Sequence, residues 1–143
     1  MILVDTNLLV FAHNADAEQH TQSRLWLDQQ FASGARVGLS WHSLLGFIRL
    51  ASNPKVFSKA ESPNDAWQQV RDWLGLENVW IPQPTERHVR IIDEVFKSTR
   101  VGTQDVMDVH LAALAIEHGL ILCSADRDFV RYPALRWFNP LAA

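Results

Sequence analysis

Residues 105–129 constrain this chain more than any other stretch. Asp105-Val-Met-Asp108-Val-His-Leu-Ala-Ala-Leu-Ala-Ile-Glu-His118-Gly119 runs straight into Leu120-Ile-Leu-Cys-Ser124-Ala-Asp126-Arg-Asp128-Phe129. The Ala-rich half reads as a helix. Gly119 supplies the positive-φ residue that suits the position just past a helix end, with His118 in the last turn. Residues 120–123 are too few for another helix and apolar on both faces, the pattern of a buried parallel strand. Acids bracket the unit, with Asp108 near the helix start and Asp126 just past the strand.

The N-terminus repeats the motif in short form. Met1-Ile-Leu-Val4 is another apolar run, and Asp5-Thr6-Asn7 follows at once. In a parallel α/β sheet, groups at the carboxyl ends of neighbouring strands converge on one crevice. If the strands that begin at Ile2 and Leu120 are neighbours, Asp5 and Asp126 face that crevice, and Asp108 reaches it from the adjoining helix N-terminus.

The rest of the chain alternates in the same way. Residues 8–12 continue apolar as a turn of helix packed on the sheet, and 14–19 are polar and loop-like. A helix over 21–32 carries Leu25, Trp26, Leu27 and Phe31 and is closed by Gly34. Residues 37–40 form a second strand. A helix over 41–52 follows, with Leu44, Leu45, Phe47, Ile48 and Ala51 inward, ended by Asn53-Pro54. Pro63 opens a helix with Trp67, Val70, Trp73 and Leu74 on one side. Residues 79–81 make a third strand, stopped by Pro82 and Pro84. The helix over 85–97 has Thr85 as N-cap and Val89, Ile92 and Phe96 as its apolar stripe. Residues 135–138 are an edge strand. This order indicates a parallel α/β sheet covered by helices on both faces, in one domain over 1–143.

Composition narrows the function. A chain of 143 residues, 48% hydrophobic, can bury a proper core. Its formal charge of −3 argues against a polybasic nucleic-acid or membrane binder, so any RNA contact rests on a local basic patch. Arg49, Lys55, Arg127 and Arg131 are the candidates. The single cysteine, Cys123, excludes an internal disulfide framework and a Cys-based zinc site. No apolar run approaches transmembrane length, and the start lacks the features of a signal peptide, so a cytoplasmic protein is expected.

Taken singly, each aspartate has an ordinary use, since Asx turns and N-caps are common. Asp105 suits the N-cap of the organising helix, which leaves Asp108 free, and Asp128 suits the cap of a short helix after the strand. The combination says more. Three carboxylates at one end of a sheet repel each other, and no Arg or Lys adjoins Asp5 within its strand. A hard divalent cation such as Mg²⁺ or Mn²⁺ takes oxygen ligands and relieves that repulsion. It also activates water and steadies charge on a scissile phosphate, which makes metal-assisted phosphodiester hydrolysis the implied chemistry. Thr6, Asn7 and Ser124 are placed to orient the ligands or waters. The histidines show no paired ligand spacing, and His110, two residues past Asp108, should face away from it. The six tryptophans sit mostly among apolar residues and read as core.

With these residues in hand, the chain resembles the PIN-domain ribonucleases, and more closely the VapC-type toxins of bacterial toxin–antitoxin pairs. The resemblance lies in Leu3-Val-Asp5-Thr-Asn7, in Leu39-Ser-Trp41 with Leu44-Leu-Gly-Phe-Ile-Arg-Leu50, in Asp108-Val-His-Leu-Ala-Ala-Leu-Ala115, and in Ser124-Ala-Asp126-Arg-Asp128-Phe129. It implies a PIN-like three-layer α/β sandwich with a five-stranded parallel sheet, a Mg²⁺- or Mn²⁺-dependent endoribonuclease site, a cognate antitoxin and a homodimer. Asp5, Asp108 and Asp126 stand where the family's acidic residues stand; Asp128 is a further candidate. The departure is Gly46, where many members carry a glutamate. A glycine there costs helix stability without an obvious local gain, and Asp105 supplies a replacement carboxylate only by giving up its cap. Two readings follow: a metal-dependent endoribonuclease toxin, and a catalytically weak RNA- or antitoxin-binding module. A receiver-like phosphoryl-transfer domain fits less well, because no lysine follows Leu122-Cys-Ser124.

Overall fold

In the computed structural model, which describes residues 1–142, five short strands form one parallel sheet. The central strand β1 (Ile2–Val4) pairs with β2 (Val37–Gly38) on one side and β4 (Ile121–Cys123) on the other. The edges are β3 (Val79–Trp80) and β5 (Trp137–Phe138), giving the order β3-β2-β1-β4-β5. The strands that begin at Ile2 and Ile121 are therefore neighbours. Their register sets Val4 opposite Cys123, and the Asp5 amide donates to the Cys123 carbonyl at 3.0 Å. Asp5 and Ser124 thus leave the sheet side by side.

Side-chain alternation along the strands sorts two cores onto the two faces. Val4 and Cys123 join Leu8, Leu9, Leu27, Leu44, Phe47, Val70 and Trp73. That layer is built from α1 (Thr6–His13), α2 (His20–Ala32), α3 (Trp41–Ala51) and α4 (Pro63–Leu74). Leu3 and Leu122 face the other way, into Val95, Val109, Leu111, Leu114 and Phe129. This second layer is made by α5 (His88–Ser98) and α6 (Val106–His118). A sheet with helices on both faces is the three-layer α/β arrangement expected from the sequence.

Several local expectations shift. Helix α1 begins at Thr6, two residues early, because the Asp5 side chain caps it. Strand β2 stops at Gly38, since Ser40 leaves the sheet to cap α3 through the Ser43 amide. Leu45 is exposed rather than inward, because the buried face of its helix runs through Leu44, Phe47 and Ala51; in α2, Leu25 is exposed and the buried positions are Ser23 and Leu27. Thr85 is not the N-cap of α5, which starts at His88; the Thr85 amide and hydroxyl are both taken by the buried Glu117 carboxylate. His88 also turns inward to Glu117, so the inner stripe is His88, Ile91, Ile92 and Val95. Val89 and Phe96 are left 73% and 50% exposed. Gly119 ends α6 at φ 66°, as the sequence required. No helix among the described residues is long and apolar enough to cross a membrane.

Candidate acidic site

The two central strands deliver the core of the site. One carboxylate oxygen of Asp5 accepts the Thr6 amide at 2.7 Å, and the other accepts the Ser124 hydroxyl at 2.7 Å. Ser124 is wholly buried and acts as a junction: it also receives the Asn7 side-chain amide at 3.1 Å and the Asp126 backbone amide at 3.0 Å. The Asn7 carbonyl oxygen accepts the Ala125 amide at 3.3 Å. Asp5, Asn7, Ser124 and the start of the Asp126 loop are thereby one hydrogen-bonded unit. Burial raises the Asp5 pKa above its ordinary value; bonds from Ser124 and Thr6 and the charge of His42 work against that rise, while Asp126 adds to it.

Asp126 caps the one-turn 3₁₀ helix Arg127–Arg131 by accepting the Asp128 amide at 2.9 Å. The capping role expected of Asp128 therefore belongs to Asp126, and Asp128 lies exposed. Asp108, in the first turn of α6, is half-buried, and only burial and charge act on its carboxyl group. Its pKa is pushed up to about 6, first by burial and then by repulsion from Asp5, Asp126, Asp105 and Asp128. Its protonation therefore senses Asp5 and Asp126 together.

Asp105 departs from expectation. It precedes α6, yet its side chain makes no cap bond there. It closes the short 3₁₀ turn Thr103–Asp105 by accepting the Gly102 amide at 3.0 Å, and it pairs with Arg131 at 3.1 Å. Those contacts hold its pKa below the ordinary carboxylate range, with the Gly102 bond the main cause. Asp105 is thus neutralised by its own arginine, whereas Asp5, Asp108 and Asp126 have no Lys or Arg partner among the described residues.

Gly46 has a steric reason that the sequence did not reveal. A Cβ there would stand 2.8 Å from the Thr6 hydroxyl oxygen, which itself donates to the Ser43 carbonyl at 3.1 Å. The glycine lets α3 close against the first turn of α1, immediately beside Asp5. The Thr6 side chain thus packs toward α3, while its backbone amide holds one oxygen of Asp5.

A divalent ion is tested by this donor set. All the candidate ligands are hard oxygens, and among the described residues no lysine or arginine pairs with them, which suits Mg²⁺ or Mn²⁺. Among the described residues, however, no three His, Cys, Asp or Glu groups are gathered into a ready cage. The fit is to an ion that keeps part of its water shell and borrows ligands from a phosphate.

Sequence reasoning missed a second constellation. Glu117, His88 and His110 are linked through side chains, and the His110 ring meets His42 edge-on with centroids 6.2 Å apart. The spacing of His110 and Glu117, seven residues on one helix, placed both on one face and was the available signal. Nothing in the sequence pointed to His88, which arrives from α5.

A parallel sheet between two helical layers, with acidic side chains at the carboxyl ends of its two middle strands, defines a class of α/β proteins whose strand ends carry the candidate site. A family model described as "PIN domain" matches residues 2–135, and the chain belongs to that family. Ribonuclease VapC37 of Mycobacterium tuberculosis is 39% identical over 142 residues, covering 99% of both chains. VapC ribonuclease Mb2897 of Mycobacterium bovis is 38% identical over 141 residues, covering 99% of this chain and 96% of its own. Among solved structures, FitAcB from Neisseria gonorrhoeae matches with a TM-score of 0.68 at 21% identity over 100% of each chain. VapBC2 from Rickettsia felis, bound to a promoter DNA fragment, matches with 0.67 at 18% identity over 97% of this chain and 98% of that one. These two likenesses concern the fold.

Proposed function

We propose that this chain is the toxin of a type II toxin–antitoxin pair, a metal-dependent endoribonuclease that hydrolyses RNA phosphodiester bonds. The observation that carries the reading is Asp108, a carboxyl group with no Lys or Arg partner among the described residues, raised to about 6 by burial and then by the charges of Asp5 and Asp126. The relatives named as ribonucleases over the full chain support it. Asp5, Asp108 and Asp126 would hold Mg²⁺ or Mn²⁺ and are the proposed catalytic residues. When bound, such an ion activates water and stabilises charge on the phosphate under attack. Ser124 and Asn7 fix the Asp5 carboxylate and the Asp126 loop in place. Asp128 stands at the rim, and Asp105 serves structure through Arg131.

Residues 1–143 act as one PIN-like domain in the cytoplasm, where RNA is at hand. Arg49, Lys55 and Arg127 are exposed and supply phosphate contacts, whereas Arg131 is engaged with Asp105 and Tyr132. The cognate antitoxin and a second copy are the partners, and exposed Leu45, Val89 and Phe96 offer apolar surface for such contacts. A weaker catalyst, chiefly an RNA- or antitoxin-binding module, is the second reading; Gly46 and the lack of a ready cage favour it. RNA cleavage by the wild type, D5N and D108N, together with calorimetric Mn²⁺ titration, decides. The nuclease reading expects cleavage and Mn²⁺ binding lost in both variants. Full cleavage by both would refute the assignment, and a wild type that binds no Mn²⁺ at millimolar concentration would favour the module.

A further inference from the structure

The buried Glu117 calls for an account, because a carboxylate with no side-chain exposure is costly unless its lone pairs are met. Here they are. One oxygen accepts the Thr85 amide at 2.9 Å and the Thr85 hydroxyl at 2.5 Å, and the other accepts from Nδ1 of His88. Burial alone would raise the Glu117 pKa, but the Thr85 and His88 bonds outweigh it and hold the group ionised, below its ordinary value. His88 then continues outward. Its Nε2 lies 3.1 Å from Nδ1 of His110, and the next ring is His42, whose charge acts on Asp5. A line of side chains therefore runs from a buried anion in the last turn of α6 to the margin of the acidic site.

Donor and acceptor rules give that line a direction. An ionised carboxylate only accepts, so Nδ1 of His88 carries the proton. At a pH where the rings are neutral, each imidazole has one donor and one acceptor nitrogen, so Nε2 of His88 accepts. Nδ1 of His110 must then donate, which leaves Nε2 of a neutral His110 as a lone pair. That nitrogen has no hydrogen-bond partner among the described residues, and the half-buried His110, turned away from Asp108 along α6, meets the margin of the acidic site through the ring of His42.

We propose that Glu117, acting through His88, fixes the tautomer of His110 so that Nε2 accepts a hydrogen bond from a donor on bound RNA. Glu117 and His88 are positioning residues, and His110 is the substrate contact. The RNA half of this statement rests on the ribonuclease reading; the tautomers do not. Simple packing between α5 and α6 would need no particular tautomer, so tautomer and KM separate the two roles.

The test uses the full chain with ¹⁵N-labelled histidine at about pH 8.5, where ordinary imidazoles are neutral. Long-range ¹H–¹⁵N spectra of the wild type should show His88 and His110 both protonated at Nδ1. In E117Q the amide oxygen keeps the Thr85 donors while its NH₂ faces His88, so both rings should switch to Nε2–H. With mixed-sequence single-stranded RNA and Mn²⁺ at the same pH, E117Q and H110A should each raise KM about five- to tenfold, the scale of one hydrogen bond. The double variant should add little further, and kcat should move far less than KM. If E117Q fails to fold, the wild-type spectrum and H110A still decide. A wild-type His110 protonated at Nε2 would overturn the chain's direction. Correct tautomers with an unmoved KM in H110A would overturn the substrate contact. A wild type that leaves RNA uncut and unbound removes the ribonuclease reading and the contact with it, while the tautomers still judge the chain.

Discussion

Replacing Asp108 by Asn removes a charge that the folded protein tolerates at a cost, and the size of that cost follows from the site. The pKa of Asp108 is pushed from 3.8 to about 6, chiefly by burial and then by Asp5 and Asp126. At 1.36 kcal/mol for each pKa unit, that difference is ~3 kcal/mol between the two protonation states. The side chain is half-exposed, so solvent screening reduces it to ~1–1.5 kcal/mol. Folding raises this pKa, so protonation favours the folded state. The contribution is fully present below 3.8 and is lost as pH climbs through about 6. At neutral pH the wild type therefore carries the whole repulsion, and D108N does not.

In chelator at about pH 7.5, D108N should be more stable by ~1–1.5 kcal/mol, a rise of roughly 3–6 °C in Tm for a chain of this size. The advantage should shrink as pH falls through about 6 and vanish near 3.8. Thermal melts and urea unfolding across this range measure it directly. Mn²⁺ should then raise the Tm of the wild type and leave D108N nearly unmoved, because an ion that binds only the folded state stabilises it by mass action. A D108N variant no more stable than wild type at pH 7.5, or an advantage that ignores pH, would refute the claim that Asp108 sits among uncompensated charges.

Two further outcomes follow from the same geometry. S124A removes the Asp5, Asn7 and Asp126 bonds at once and leaves the second Asp5 oxygen with only the Asn7 contact at 3.5 Å. Urea unfolding should show a loss of about 1–3 kcal/mol, and the Asp5 pKa, read by NMR titration, should rise further because a bond that lowers it is gone. G46A should destabilise by about 1–3 kcal/mol through the contact with Thr6, despite the ~1 kcal/mol that alanine gains in helix propensity. Adding T6A should recover much of that loss in a double-mutant cycle, and strictly additive losses would show that the two residues do not press on each other.

The fold was legible because its signals are local and redundant. Short apolar runs, each followed by a helix, fix a parallel sheet, and Gly119 fixes where the organising helix ends. The convergence of Asp5 and Asp126 was legible for the same reason, since carboxyl ends of adjacent parallel strands must meet. What was not legible depends on contacts between distant segments. Thr85 looks like a cap until Glu117, 32 residues away, takes its amide. The stripe Val89, Ile92 and Phe96 satisfies helical periodicity as well as the true face does, and only the inward turn of His88 decides between them. Gly46 looks like a loss until Thr6 is seen against it. The Asp105 cap failed because the Gly102 amide and Arg131 together turn its carboxylate, through Oδ2, back toward the preceding turn.

Asp105 and Asp108 sit three residues apart and test why the site is built as it is. Both stand at the start of α6, and an arginine from the 3₁₀ helix after β4 reaches one of them. Arg131 pairs with Asp105 at 3.1 Å, and hydrogen bonds and charge hold that carboxyl below its ordinary range. Asp108, one helical turn further on, receives no such partner and is driven the other way, to about 6. Burial raises both carboxyls and is the largest cause at Asp108, but at Asp105 the Gly102 bond and Arg131 outweigh it. The difference lies in partners, and the chain evidently can supply one. Stability alone would favour a second cation beside Asp108, or an uncharged residue in its place. On the proposed ribonuclease reading, a carboxylate kept free at that position is there to meet a cation that arrives from outside the fold. The same reasoning explains why Asp5 is braced by Ser124 and Thr6 but not neutralised: hydrogen bonds hold its orientation and leave its charge in place.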